Sequence, residues 1–189
     1  MTNQELLAQF QELGVLQTGH FRLTSGLHSE HYMQCAKLFE YPKKAAEVVA
    51  RLLPKLPTGI DTVIAPAIGG VTVGYELARL LGCRSIFAER QEGRMAFRRG
   101  FALKPGERIL VVEDVVTTGG SVQEVVDLAM ECGAEILGVA AVVDRSQGRA
   151  DFGVPFYPLL SMEITVYHPE TCPLCVQGVP LQSPGSRKN

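Results

Sequence analysis

The chain has almost no surplus of charge of either sign. Its 18 Lys and Arg stand against 20 Asp and Glu, a formal net charge of −2 over 189 residues. That balance removes the electrostatic reason to expect a nucleic-acid partner. Long hydrophobic runs are missing too: no apolar stretch approaches the roughly 20 residues that span a bilayer. Met1-Thr2-Asn3-Gln4-Glu5 lacks the basic start and apolar core of a signal peptide. A GxGxxG fingerprint and a Walker A loop are both absent, which takes support from dinucleotide and P-loop readings. The five cysteines are an odd number in a chain this long, which fits a reducing cytoplasm better than a disulfide framework. The expectation is a small soluble cytoplasmic protein without membrane or nucleic-acid partners. One domain over 1–189 is the natural count, large enough for a substantial core.

What the chain does have is concentrated in residues 109–121, Ile-Leu-Val-Val-Glu-Asp-Val-Val-Thr-Thr-Gly-Gly-Ser. An apolar run without charge until its end reads as a buried parallel strand. Glu113 and Asp114 then stand side by side where that strand should emerge. Thr117, Thr118, Gly119, Gly120 and Ser121 are small or hydroxylated, and they open an apolar helical pattern through Val122, Val125, Val126, Leu128 and Ala129. Small residues let backbone N–H groups close around an anion, and a helix N-terminus adds a dipole that favours phosphate. The combination suits a ligand carrying both a phosphate and sugar hydroxyls or a bound metal ion.

Elsewhere the pattern alternates strand and helix. Asn3 to Leu13 reads as an amphipathic helix stopped by Gly14, and 15–35 as extended and turn-rich. Pro42 fits a first helical position ahead of Ala45, Val48, Val49, Leu52 and Leu53. Asp61–Pro66, Ser85–Ala88, 108–113 and Ile136–Val143 read as buried strands. Helices are expected over Val71–Leu81, closed by Gly82, and from 121 to near Gly133. Such a layout implies βαβ units around a parallel sheet. Residues 182–189 read as a loose tail. Ligands of such sheets bind outside the carboxyl ends of the strands. Two more of those ends carry polar or small groups: Ala67-Ile68-Gly69-Gly70 leads from a strand into a helix, and Asp144-Arg145 follows another. Taken alone, Gly-Gly before a helix is common, and Arg145 at a strand end suits a surface ion pair.

Residues 109–121 resemble the phosphoribosyl-diphosphate signature of the type I phosphoribosyltransferases. The resemblance implies an α/β fold, with a central, mostly parallel sheet flanked by helices and a small N-terminal hood. It divides the single domain into a helix and hood contribution over 1–40, a core over 58–150, and C-terminal strands and tail over 151–189. Carried over residue by residue, Glu113 and Asp114 take the ribose hydroxyls, and Thr117, Thr118, Gly119, Gly120 and Ser121 take the 5′-phosphate, with Val115 and Val116 between them as further contacts of phosphoribosyl diphosphate. Ala67, Ile68, Gly69 and Gly70 become the diphosphate loop. The segment Leu23-Thr24-Ser25-Gly26-Leu27-His28-Ser29-Glu30-His31-Tyr32-Met33 is similar to the signature of the orotate-using members. There Thr24 and Tyr32 join Thr117 and Arg145 as orotate contacts, although many relatives carry Lys at the first position and paired aromatics at Tyr32 and Met33.

Residues 89–100 are rich in Arg and by themselves read as a solvated β-hairpin. By resemblance they form the mobile loop that closes over the diphosphate of a neighbouring subunit. Arg90 fits its leading Arg, and Arg94 stands where Lys is frequent; with Asp114 these are the catalytic candidates. Gln91 replaces a usual second basic residue, and Arg98 and Arg99 cannot be placed by matching. The implied reaction joins orotate and 5-phosphoribosyl 1-diphosphate to give orotidine 5′-phosphate and diphosphate, in pyrimidine (UMP) synthesis. It would use Mg²⁺ held mainly by substrate, with Glu113 and Asp114 as protein contacts, in a homodimer. A purine phosphoribosyltransferase and a non-catalytic binder of phosphoribosyl diphosphate remain as alternatives. Cys172-Pro173-Leu174-Cys175 lacks a second Cys pair for a four-thiolate zinc site, so its default is tail packing with free thiols. His20, His28 and His31 stand singly, without ligand spacing, and none is assigned to a metal.

Overall fold

The computed structural model describes residues 2–184. In chain order the elements are α1 (Asn3–Glu12), β1 (Leu16–Arg22), β2 (His28–Met33), α2 (Pro42–Ala50), β3 (Thr62–Pro66), α3 (Gly69–Leu81) and β4 (Arg84–Gln91). There follow β5 (Arg94–Phe97), β6 (Arg108–Val116), α4 (Gly120–Glu131), β7 (Glu135–Asp144), β8 (Phe156–Ser161), β9 (Val166–Tyr167) and the single turn α5 (Pro173–Val176). The chain divides into two compact units. One is Tyr41–Met162, and the other joins the residues up to Glu40 to those from Glu163 onward.

The larger unit is built on a six-stranded sheet of order β5-β4-β3-β6-β7-β8. Five strands run parallel, and β5 turns back antiparallel on β4. Parallel strands are covered on both faces, so they read as continuous apolar runs. Every residue of β3 is buried, as are Ile109–Val112 of β6 and Val139–Val143 of β7. Alternate side chains serve opposite faces. Ile64, Ile109 and Val111 pack with Val122, Val125, Val126 and Ala129 of α4. On the other face, Gly74 of α3 lies against Ala65, Val112 and Val63. α2 starts at Pro42 in a first-turn position, and α3 ends at Gly82 with φ of 69°, the left-handed cap that glycine takes without a Cβ clash.

Sheet order decides where a ligand can sit. The chain leaves β3 for β4 on one side, while β6 flanks β3 on the other. The carboxyl ends of β3 and β6 therefore meet at the topological switch point, where open α/β sheets bind ligands. Two details depart from a simple strand–helix alternation. β6 continues to Val116 instead of stopping at 113, so Glu113 and Asp114 lie inside its last turn of pleat. β7 and β8 are parallel yet joined by 145–155 without a helix.

The smaller unit carries the antiparallel sheet β1-β2-β9. α1 begins with a capping box, in which Thr2 accepts from the Glu5 amide and Glu5 reaches back to Thr2. Its apolar side buries Leu6 and Phe10. The expected loose tail needs correction: Gln182 accepts from the Arg22 amide at 2.8 Å and donates its own N–H to the His20 carbonyl at 2.8 Å. Backbone pairing with β1, which no local pattern announces, fixes the chain there. Residues 185–189, the rest of that stretch, lie outside the described residues.

Gly70 is where α3 comes close to both β6 and β3. A Cβ built there would stand 2.9 Å from Glu113 Oε1, 3.0 Å from the Val112 carbonyl oxygen and 3.1 Å from Ala65 Cβ. Overpacking of this kind costs about 1–3 kcal/mol. Gly70→Ala is therefore expected to lower the melting temperature by about 3–8 °C. An unchanged melting temperature would mean that α3 and β6 are not apposed this closely.

Candidate active site

The site is assembled from three strand ends of the larger unit. At the end of β6, Glu113 Oε1 accepts from the Asp114 amide at 3.0 Å, and Asp114 Oδ1 accepts from the Val115 amide at 2.8 Å. Each carboxylate is thus aimed by the backbone next to it. The opening of α3 faces the same pair: Cβ atoms at Gly69 and Gly70 would fall 2.8 Å from Asp114 Oδ1 and 2.9 Å from Glu113 Oε1. Only glycine lets the start of that helix come so near. The Ala67–Ile68 peptide bond in the same turn is cis, and Ile68 is 88% exposed.

Burial sets the protonation of Glu113. It pushes the Glu113 carboxyl up to about 9, and the Asp114 charge adds to the effect. At neutral pH Glu113 keeps its proton.

Beyond the strand, residues 117–121 wrap a small cleft of about 80 Å³ lined by Glu113 and Val115–Val122. Gly119 caps α4 with φ of 80°, and a Cβ there would strike Phe152 at 2.8 Å. Phe152, wedged against Phe156 in an edge contact, shapes one wall of this turn. The first amides of any helix lack carbonyl partners, and at α4 they open into this cleft. Thr117, Thr118 and Gly120 are exposed, and Ser121 is half-buried. A phosphate-sized anion and a pair of hydroxyl groups can be held here side by side.

Arg145 is half-buried, and its amide donates to the Val116 carbonyl at 2.8 Å. It is presented by a turn in which buried Asp144 accepts from the Ser146 amide at 2.8 Å. Thr117 and Arg145 thus follow the adjacent ends of β6 and β7. Thr24 and Tyr32 belong to the smaller unit. Thr24 is exposed in the turn closed by Leu23 and Leu27, and Tyr32 is half-buried with its ring 5.6 Å from that of Phe21.

The Arg-rich stretch is a β-hairpin, as its polarity alone suggests. Glu92 and Gly93, with φ of 51° and 84°, make the two-residue turn between β4 and β5 that positive φ values favour. Most of its charge is paired. Arg90 makes a bidentate pair with Glu124 of α4 at 2.7 and 2.9 Å, which holds the Glu124 carboxyl below its usual range. Arg98 and Arg99 both reach Glu89, at 2.9 and 3.0 Å. Arg94 is exposed and has no ion-pair partner among the described residues. Neither Glu89 nor Glu124 was marked by the sequence pattern, since pairing across a hairpin or onto another helix leaves no local spacing.

Comparison with known proteins places these features in a class. Residues 37–167 match the family described as the phosphoribosyl transferase domain. The chain is 52% identical to the orotate phosphoribosyltransferase of Caldanaerobacter subterraneus subsp. tengcongensis, over 100% of both chains. Among solved structures, the orotate phosphoribosyltransferase of Aeropyrum pernix superposes with a TM-score of 0.69 at 23% identity, covering 83% of this chain and 93% of that one. The adenine phosphoribosyltransferase of Rhodothermus marinus gives 0.67 at 18% identity, with 85% and 98% covered. The fold alone therefore does not select the base. The chain belongs to the phosphoribosyltransferase family and, by its identity over full length, to the orotate phosphoribosyltransferases within it.

The raised Glu113 carboxyl has a consequence for stability. Unfolded, the group titrates near its ordinary 4.5; folded, near 9. Between those values the folded chain binds more protons, so this contribution is full below pH 4.5 and is lost as pH rises through 9. In ligand-free protein, Glu113→Gln is expected to flatten the fall of melting temperature across that window. At pH 8 it should raise the melting temperature by about 2 °C or more. Identical pH profiles for the two proteins would contradict a desolvated, protonated Glu113.

Proposed function

We propose that the chain transfers the phosphoribosyl group of 5-phosphoribosyl 1-diphosphate to orotate, releasing diphosphate and forming orotidine 5′-phosphate for pyrimidine synthesis. The observation that carries this reading is the meeting of the Glu113–Asp114 pair, the 117–121 cradle and the Ala67–Gly70 turn at one switch point. Full-length identity to orotate phosphoribosyltransferases supports the choice of base over a purine.

In this reading the ribose hydroxyls donate to the Asp114 carboxylate and exchange hydrogen bonds with Glu113. The 5′-phosphate takes the free amides and hydroxyls of Thr117, Thr118, Gly119, Gly120 and Ser121, with Val115 and Val116 forming the cleft wall. The diphosphate lies along Ala67, Ile68, Gly69 and Gly70, where the two glycines leave backbone within reach. Orotate is already an anion, so little acid–base work is required. Arg145 holds its carboxylate by a charge-assisted pair, beside Thr117, while Thr24 and Tyr32 are candidates for the base on the resemblance alone.

The two acids fit Mg²⁺, which prefers hard oxygen ligands and keeps water and substrate oxygens in much of its sphere; its binding would release the proton that Glu113 holds in the ligand-free site. Glu113 and Asp114 would be its protein contacts, and when bound it supplies positive charge to the departing diphosphate. Arg94 brings an unpaired cation to the same leaving group, and Arg90 joins it once its exposed pair with Glu124 opens, a pair of a kind that costs little to break. Assembly as a homodimer that shares the 89–100 hairpin is part of the reading. An apolar cleft of about 410 Å³ on α3 and β4, with Tyr75 66% exposed at its rim, offers a surface for such an association.

The base assignment has a direct test. Arg145→Ala should raise the orotate KM at least about tenfold, since a charge-assisted pair is worth about 1.5–3 kcal/mol, while the KM for phosphoribosyl diphosphate changes less than about threefold. Equal effects on both substrates would make Arg145 structural or a contact of the shared ligand.

A further inference from the structure

Four side chains that the sequence keeps apart converge in the smaller unit. His20 lies on β1, His28 opens β2, Cys172 precedes α5 and Cys175 lies within it. One ligand atom from each falls within 4.8 Å of every other. His20, His28 and Cys172 are buried, at 1%, 5% and 1% exposure, and Cys175 is exposed. The expectation that His20 and His28 stand singly is corrected by this arrangement, which sets both against the two free thiols. β1 pairs with β2, setting the histidines side by side, and the tail that pairs with β1 through Gln182 returns the Cys-x-x-Cys turn onto them.

Four of the six spacings come close to the edges of a tetrahedron around one ion. Metal–nitrogen and metal–sulfur bonds of zinc, about 2.0–2.1 and 2.3 Å, require edges of about 3.3 Å between nitrogens and about 3.6 Å between nitrogen and sulfur. The structure has His20 Nε2 to His28 Nδ1 at 3.0 Å, Cys172 Sγ to His20 Nε2 at 3.5 Å, Cys175 Sγ to His20 Nε2 at 3.7 Å and Cys175 Sγ to His28 Nδ1 at 3.3 Å. Hydrogen bonding among these groups accounts poorly for the geometry. His20 Nδ1 sits 2.7 Å from the Val179 carbonyl oxygen, which only accepts, so Nδ1 carries the proton and Nε2 a single lone pair. Three polar atoms crowd that one lone pair. An imidazole whose far N–H is fixed by a carbonyl while its other nitrogen faces the centre is how metal-binding histidines are oriented.

We propose that His20, His28, Cys172 and Cys175 bind one Zn²⁺ ion in a closed, four-coordinate structural site. Two thiolates and two neutral imidazoles suit this ion, and four protein ligands leave no open position for catalysis. The site ties the β1–β2 hairpin to the C-terminal segment, so its role is to hold together a small unit made from two distant stretches of chain. A unit of that size gains from such a staple because its own core is limited. This site is separate from the carboxylate pair and does not depend on the reading of the reaction.

The test uses the full chain without an affinity tag, purified from zinc-supplemented growth in reductant and without chelator. Elemental analysis should find about one zinc per chain, and Cys175→Ser and His28→Gln should each fall to less than about a fifth of that. Wild-type protein stripped of metal and titrated with Co²⁺ should develop the strong visible bands of a tetrahedral ion together with a thiolate-to-cobalt band, saturating at one equivalent. The cobalt arm needs no variant, so it stands even if a substitution misfolds. Absence of zinc together with absence of the cobalt spectrum would overturn the proposal. So would full zinc occupancy in both variants, or a freshly isolated metal-free chain lighter by two hydrogens from a Cys172–Cys175 disulfide.

Discussion

The contact on which the rest of the larger unit depends is the approach of the α3 backbone to the carboxylates of β6. With Gly69 and Gly70, the first turn of a helix reaches within van der Waals distance of Glu113 and Asp114. Two consequences follow from that one approach. The helix start that follows β3 is brought against the acids at the end of β6, and the Glu113 carboxyl is pushed into an environment where it holds a proton at neutral pH. A side chain at either glycine would separate the helix from the strand and return water to the carboxylates. Stability and site geometry are therefore coupled here: the arrangement that serves a ligand is also one that disfavours the charged form of Glu113.

Charge in the β4–β5 hairpin is arranged differently. Its arginines are mostly satisfied within the fold, Arg90 by Glu124 and both Arg98 and Arg99 by Glu89, with Arg99 also 5.6 Å over the Phe87 ring. These pairs are exposed, so they orient the hairpin more than they stabilise it. Among the described residues they leave Arg94, at the beginning of β5, without an ion-pair carboxylate. That is a physical reason to rank it ahead of its neighbours as the charge offered to a diphosphate.

Much of this was legible in the residues, for identifiable reasons. The β6 strand and its helix are read from 109–121 because burial on both faces of a parallel strand demands an apolar run and a helix start demands small or capping residues. Pro42 and Gly82 mark helix limits because each has a backbone constraint of its own. The stretches that escaped are those whose partners lie far along the chain. Gln182 joins β1 through main-chain atoms, which carry no residue signature. His20 and His28 look isolated because a hairpin and a returning tail, not a spacing, bring them to Cys172 and Cys175. The same holds for Glu89 and Glu124, ordinary surface acids until the hairpin folds beside them.

The central claim is that the switch-point site transfers phosphoribosyl to orotate and that Asp114 takes part. Its most direct measurement follows orotate absorbance with phosphoribosyl diphosphate and Mg²⁺, beside parallel reactions in which adenine or hypoxanthine replaces orotate. The account predicts orotate loss with stoichiometric orotidine 5′-phosphate and diphosphate, no consumption of either purine, and at least about a tenfold drop in turnover for Asp114→Asn, equivalent to about 1.4 kcal/mol. Consumption of a purine in place of orotate, or undiminished turnover in Asp114→Asn, would contradict it.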